Sequence, residues 1–138
     1  MQIKKAIILS AGYGKRLKPL TLSKPKPLLE INKKTLLENT INILEKFGIK
    51  EIVINTHHLS DQITSFISSK KFNSKIFLIQ EHDKILGTGG GVLNAAIKFN
   101  SHPFFVLNPD TIWSQSYLDD FKSMEEKYFN NNHEAVLL

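Results

Sequence analysis

Along this chain, short unbroken apolar runs alternate with longer stretches in which apolar residues recur every three or four positions. Residues 5–10 centre on the unbroken apolar run Ala6-Ile7-Ile8-Leu9, with two β-branched side chains, the pattern of a parallel strand buried on both faces. Residues 11–27 predict a loop, punctuated by Gly12, Gly14, Pro19, Pro25 and Pro27. Thr35 is placed to cap a helix whose apolar face is Leu36, Leu37, Ile41, Leu44 and Phe47, and Gly48 stands at the C-terminal cap position. Residues 51–55 predict a second strand. Ser60 is the expected cap of a short helix carrying Ile63, Phe66 and Ile67, and residues 75–80 predict a third strand. Gly87-Thr88-Gly89-Gly90-Gly91 opens a helix that continues through Val92, Leu93, Ala96 and Ile97. A fourth strand over 104–108, a helix over 117–128 and the beginning of a fifth strand over 135–138 complete the pattern.

Strand and helix in alternation imply parallel βαβ units joined by crossovers. The expected fold is therefore α/β: a Rossmann-like, doubly wound, mainly parallel sheet with strand order 3-2-1-4 and a fifth strand beginning at the C-terminus. In that arrangement ligands bind beyond the carboxyl ends of strands one and four, where the order of strands reverses. Two features fall there: the loop after the first strand, and Asp110 just beyond the fourth.

The charge distribution sharpens this. The 138 residues carry a formal net charge of +5, but residues 1–34 hold nine basic groups and one acid, Glu30, so the whole surplus lies in the first quarter. All the basic residues except Arg16 are Lys. A guanidinium presents a planar fork suited to bidentate contact with phosphate or carboxylate, so the position of the sole Arg is informative.

Composition removes other classes. The absence of Cys excludes a disulfide framework, a thiolate metal site and a Cys nucleophile. No apolar run approaches the roughly 20 residues that span a bilayer. The N-terminal apolar stretch is shorter than a signal-peptide core and is followed at once by Lys15, Arg16 and Lys18, so it reads as a strand. A soluble, cytoplasmic protein that acts neither at a membrane nor on nucleic acid is the expectation. A nucleic-acid binder would interleave aromatic residues with its Lys, and the basic quarter has only Tyr13.

The loop itself carries chemistry. Glycines directly after a strand let backbone N–H groups approach an anion, and a Lys or Arg further along completes a phosphate cradle. The third glycine of a dinucleotide fingerprint and the Gly-Lys-Ser/Thr of a P-loop are both missing. On glycine and charge alone, a solvated basic loop is an equal alternative.

The residues Leu9-Ser10-Ala11-Gly12-x-Gly14-x-Arg16-Leu17, with Thr21 and Pro25-Lys26-Pro27-Leu28, resemble the signature of the sugar-phosphate nucleotidylyltransferases. The resemblance continues through Gly48-Ile49, Ile52-Val53-Ile54-Asn55, Leu86-Gly87-Thr88-Gly89-Gly90-Gly91 and Phe105-Val106-Leu107-Asn108-x-Asp110, over nearly the whole chain. The triple glycine after Thr88, His57 and Trp113 are most similar to the N-acetylmuramate-1-phosphate uridylyltransferases of cell-wall recycling; mannose-1-phosphate guanylyltransferases look much the same.

The resemblance implies an enzyme that joins a nucleoside triphosphate, UTP or GTP, to a sugar-1-phosphate, releasing pyrophosphate with Mg²⁺ as cofactor. Backbone groups of Ala11, Gly12 and Gly14, together with Lys15, would hold the triphosphate, with Arg16 and Lys26 as the catalytic cations. Gln80, Gly87 and Thr88 would contact the base, Asn108 the sugar phosphate, and Asp110 the metal. Against the family pattern, Pro109 stands where Gly is common, and residues 1–138 read as a single nucleotidyltransferase domain lacking its C-terminal part. A non-catalytic nucleotide-binding or assembly module is the alternative of a different class.

Other residues have plainer readings. Asp110 alone could be a turn residue. His57 and His58, adjacent at a strand end, are expected to point in opposite directions and so not to form a metal pair. Gly90 and Gly91 could serve only close packing, and Trp113 could be a packing residue.

Overall fold

The computed structural model describes residues 2–131 and 133–138. Its centre is a four-stranded parallel sheet built from β1 (Lys5–Leu9), β4 (Glu51–Thr56), β5 (Lys75–Gln80) and β6 (Phe105–Leu107), in the order β5-β4-β1-β6. This is the expected order of the four strands. Ala6, Ile7 and Ile8 stand level with Ile52, Val53 and Ile54 on one side and with Phe105, Val106 and Leu107 on the other.

Successive side chains on a strand face opposite sides, so this register sorts the core into two layers. Ala6, Ile8, Ile52, Ile54, Phe105 and Leu107 face α2 (Leu36–Phe47), α3 (Ser60–Ser69) and α5 (Tyr117–Asn130), which contribute Leu37, Ile41, Leu44, Ile63 and Phe121. Ile7 and Val53 face the opposite way, against Ala95 of α4 (Gly87–Ala96) and Phe99 in the turn that follows it. Each fully buried Ile of this kind contributes about 1.5–3 kcal/mol. The helices before and after β4 lie on one face and the next helix on the other. The chain therefore switches sides between β1 and β6, and leaves a crevice at their carboxyl ends.

Local chemistry sets the element ends. Thr35 caps α2 by accepting a hydrogen bond from the Glu38 N–H at 3.0 Å. Gly48, at φ 105°, closes the same helix with an N–H shared by the Leu44 and Glu45 carbonyls. At α3 the cap position belongs to Leu59, at φ 51°, and Ser60 is the first helical residue.

Two features differ from the sequence pattern. A small hairpin, β2 (Glu30–Ile31) and β3 (Lys34–Thr35), turns through Asn32 and Lys33, both at positive φ. The Asn-Lys pair lacks the glycine that normally announces such a turn. Residues 135–138 form no strand, and Leu137 is exposed. A four-residue apolar run has no diagnostic period, and without a paired neighbour its ladder bonds do not form.

Candidate functional site

The loop after β1 folds into two turns of 3-10 helix, Lys15–Leu17 and Lys26–Leu28, separated by the short helix α1 (Leu20–Ser23). Gly14 makes the first turn possible. Its φ of 61° lies in the left-handed region, and a Cβ there would stand 2.8 Å from Thr21 Cγ2. The Thr21 hydroxyl instead donates to the Gly14 carbonyl at 2.8 Å, folding the loop back on itself. At Gly12 nothing lies within 4 Å of where a Cβ would sit, so that backbone faces open space.

That space is a cavity of about 260 Å³ at the carboxyl ends of β1 and β6. Its walls include Ser10, Gly12, Gly14, Lys15, Arg16 and Lys26 from the loop, and Asn108, Pro109 and Asp110 from beyond β6. Lys26 Nζ meets Asp110 Oδ2 at 2.7 Å across the opening. Among the described residues Arg16 has no carboxylate partner, and its side chain is free to meet an anion. Among the described residues the buried Ser10 hydroxyl has no hydrogen-bond partner. A concave site with two Lys, one unpaired Arg and open glycine backbone has the chemistry to hold an anionic, oxygen-rich ligand.

The expected residues separate into two groups. Gly12, Gly14, Lys15, Arg16, Lys26, Asn108 and Asp110 converge on the cavity; Ala11 is buried and does not line it. Gln80 is exposed at the end of β5, and Gly87 and Thr88 are exposed at the start of α4, outside the cavity. The residue after Gln80 is the one turned inward: Glu81 is only 4% exposed and accepts hydrogen bonds from Asn55 Nδ2 at 2.8 Å and the Leu86 N–H at 2.9 Å. Asn55 also accepts from the Ser10 N–H at 2.8 Å. From the sequence Asn55 appeared only within the block Ile52-Val53-Ile54-Asn55, with no role, and Glu81 not at all, although an amide and a carboxylate at the ends of apolar strands were a visible signal.

His57 and His58 do not diverge. Beyond β4 the pleat no longer applies, and both rings pack on Tyr13, with centroids 5.5 and 5.4 Å away. His57 meets the Tyr13 hydroxyl at 3.1 Å and His58 the Thr21 carbonyl at 2.7 Å, so the pair supports the loop. Gly91 serves packing: a Cβ would stand 2.7 Å from Asn55 Nδ2. Trp113 is half-buried against Tyr117 and Phe121, and its Nε1–H donates to the Asn108 carbonyl.

Mg²⁺ takes one or two carboxylates and fills its remaining positions with water and substrate phosphate. Among the described residues no group of three or more acidic or His side chains forms a cage. Asp110 is the only carboxylate among the residues lining the cavity, which fits an ion that takes a single protein carboxylate, and its Oδ2 is engaged by Lys26 Nζ.

The sequence of residues 5–136 matches the family model described as Nucleotidyl transferase. The chain belongs to the nucleotidyl transferase family. Among relatives of the chain, the mannose-1-phosphate guanylyltransferase catalytic subunit beta of Xenopus tropicalis is 36% identical over 94% of the chain and 35% of its own length. The N-acetylmuramate alpha-1-phosphate uridylyltransferase of Caulobacter vibrioides is 32% identical over 78% of the chain and 46% of its own length. The chain thus spans about a third to a half of the length of these curated relatives. HddC from Yersinia pseudotuberculosis, solved with GMP-PN, superposes with a TM-score of 0.72 at 33% identity, covering 88% of the chain and 54% of that structure. A UDP-glucose pyrophosphorylase with UDP-glucose gives a TM-score of 0.69 at 25% identity, covering 92% and 55%. Among the described residues no helix is long and apolar enough to cross a membrane.

Proposed function

We propose that this nucleotidyl transferase chain forms the triphosphate-binding part of a sugar-1-phosphate nucleotidylyltransferase. The observation that carries the reading is the convergence of Gly12, Gly14, Lys15, Arg16, Lys26 and Asp110 on one cavity at the switch point of the sheet. In the proposed reaction an oxygen of the sugar-1-phosphate forms a bond to the α-phosphorus of the nucleoside triphosphate. The α–β phosphoanhydride bond breaks, and pyrophosphate leaves with the bonding electrons.

Because both substrates are anions, the chain's task is positioning and charge neutralisation rather than proton transfer. The Gly12 and Gly14 backbone would cradle the triphosphate, and Lys15 would add charge at its edge; Ala11, buried and outside the cavity, would take no part. Arg16 would grip the β and γ phosphates through its fork and hold the departing pyrophosphate. Lys26 would move from Asp110 toward the α-phosphate as charge builds there, leaving Asp110 as a hard oxygen ligand. Asp110 would be the residue that holds Mg²⁺, whose chemistry there would be charge neutralisation. Asn108 would meet the sugar phosphate, and Gln80, Gly87 and Thr88 would meet the base.

Uridylyl transfer to N-acetylmuramate-1-phosphate is the first reading, supported by the triple glycine, His57 and Trp113 and by the Caulobacter relative. Guanylyl transfer to mannose-1-phosphate is the second, supported by the Xenopus relative. The test is a panel of nucleoside triphosphates against sugar-1-phosphates with Mg²⁺, followed by pyrophosphate release. Release with UTP and N-acetylmuramate-1-phosphate is expected; release only with GTP and mannose-1-phosphate establishes the second reading. Nucleotide binding with no release from any pair would mark a binding module, and no nucleotide binding would overturn the proposal.

A further inference from the structure

The two groups of expected site residues, one in the cavity and one outside it, are connected underneath by a buried polar chain. The Ser10 N–H, where the phosphate loop begins, donates to Asn55 Oδ1; Asn55 Nδ2 donates to Glu81 Oε1; and the Leu86 N–H, just before Gly87 and Thr88, donates to Glu81 Oε2. Asn55 is 3% exposed and Glu81 4%, and among the described residues Glu81 has no cationic partner. Burying a carboxylate without a counter-ion is costly, so this one persists because N–H donors and the positive end of α4 surround it. The Glu81 carbonyl also meets His57 Nδ1, while the other nitrogen of that ring meets the Tyr13 hydroxyl in the phosphate loop.

The polarity of this chain is constrained at both ends. Ser10 and Leu86 present backbone N–H groups, which can only donate. The two side chains between them must therefore each offer an acceptor outward and share one donor and one acceptor inward. Asn55 with Glu81 does this. Asn with Gln sets two amide donors face to face, and Asp with Glu sets two carboxylates face to face; the one remaining combination, Asp at 55 with Gln at 81, restores every bond, with the charge moved to the other residue.

We propose that Glu81 is a positioning residue that holds the phosphate loop and the Gly87-Thr88 turn at one fixed separation, so that a nucleoside triphosphate engages both at once. The proposal rests on the nucleotide reading above. Glu81 touches no nucleotide itself, and its effect is confined to ligands that bridge the two ends.

The test compares the full chain with Glu81→Gln, Asn55→Asp and the double variant N55D/E81Q. UTP, GTP and inorganic triphosphate are titrated by calorimetry, and amide hydrogen exchange is followed at Ser10 and Leu86 without ligand. Glu81→Gln is expected to weaken the nucleoside triphosphate on the order of tenfold, the effect of one unpaired buried donor, and inorganic triphosphate by less than about threefold. The double variant is expected to return to within about threefold of the original affinity. Exchange should accelerate at both amides in Glu81→Gln and slow again in the double variant.

Equal weakening of triphosphate and nucleoside triphosphate would reduce Glu81 to a support of the loop and overturn the link, as would unchanged affinities. Loss of protection at one amide alone, or a double variant that fails to fold or to recover, would also overturn it. If a single variant unfolds, the double variant carries the test by itself. If the original chain binds neither UTP nor GTP, the nucleotide reading fails, and hydrogen exchange still decides whether Glu81 ties the two segments.

Discussion

Lys26 Nζ and Asp110 Oδ2 lie 2.7 Å apart although 84 positions separate them in the chain. The contact ties the far turn of the loop after β1 to the segment beyond β6. Both side chains keep access to solvent, at 27% and 43% exposure, so the pair contributes less than about 1 kcal/mol to stability. In the proposed reaction its weight lies in chemistry: a cation and a hard carboxylate stand together where a phosphate would separate them.

Asp110→Asn keeps the shape of that side chain and removes its charge. The variant should unfold within about 1 kcal/mol of the original in urea. Mg²⁺ should cease to strengthen nucleotide binding, because a neutral amide is a poor ligand for a hard ion. Calorimetric titration with and without Mg²⁺ reads this directly, and a variant that keeps the full Mg²⁺ effect would remove Asp110 from the metal site.

Arg16→Lys retains charge but exchanges a rigid fork for a point charge. Affinity for a nucleoside triphosphate should fall on the order of tenfold, while affinity for the monophosphate should change far less. Equal affinities in the two proteins would show that Arg16 is only a solvated surface residue.

Gly12 and Gly14 should respond to Ala differently. At Gly14 the new methyl group would enter the left-handed region 2.8 Å from Thr21 Cγ2, so stability should drop by about 1–3 kcal/mol in a denaturant titration. At Gly12 the methyl group would meet nothing within 4 Å, so stability should stay within about 0.5 kcal/mol. Nucleotide affinity should still fall there, because the methyl group occupies the side from which phosphate approaches. A Gly12→Ala variant that binds nucleotide normally would place the phosphates elsewhere.

Gly91 and Gly89 form a second contrast, on α4. A methyl group at Gly91 would stand 2.7 Å from the buried Asn55 amide, and Gly91→Ala should destabilise by about 1–3 kcal/mol. Gly89 has nothing within 4 Å of a Cβ, and Gly89→Ala should stabilise by about 0.5–1 kcal/mol through its better helix propensity. Urea midpoints that shift in the same direction for both would contradict this packing.

The sheet was largely legible because its strands are short, apolar and bounded by breakers, and because an alternating order leaves few topologies. The hairpin at 30–35 was hidden because Asn32 and Lys33 adopt positive φ without a glycine. The fifth strand was overread because four apolar residues at 135–138 satisfy a local pattern without having a partner. At the site, Gly12, Gly14, Arg16 and Asp110 were visible from residue type and place. The inward turn of Glu81 beside exposed Gln80 was not visible, because which neighbour faces the interior depends on how the chain leaves the strand.

The sequence by itself determined the alternation of the four sheet strands with the four longer helices, and the loop that holds the only Arg between glycine and proline. These are local properties, written in periodicity and in the torsional limits of Gly and Pro. Only the tertiary structure decided that Lys26 meets Asp110, that Asn55 joins Ser10 to Glu81, and that both His rings support Tyr13. Those contacts join segments far apart in sequence. They exist because strand order and register bring particular carboxyl ends side by side, and no local pattern encodes that.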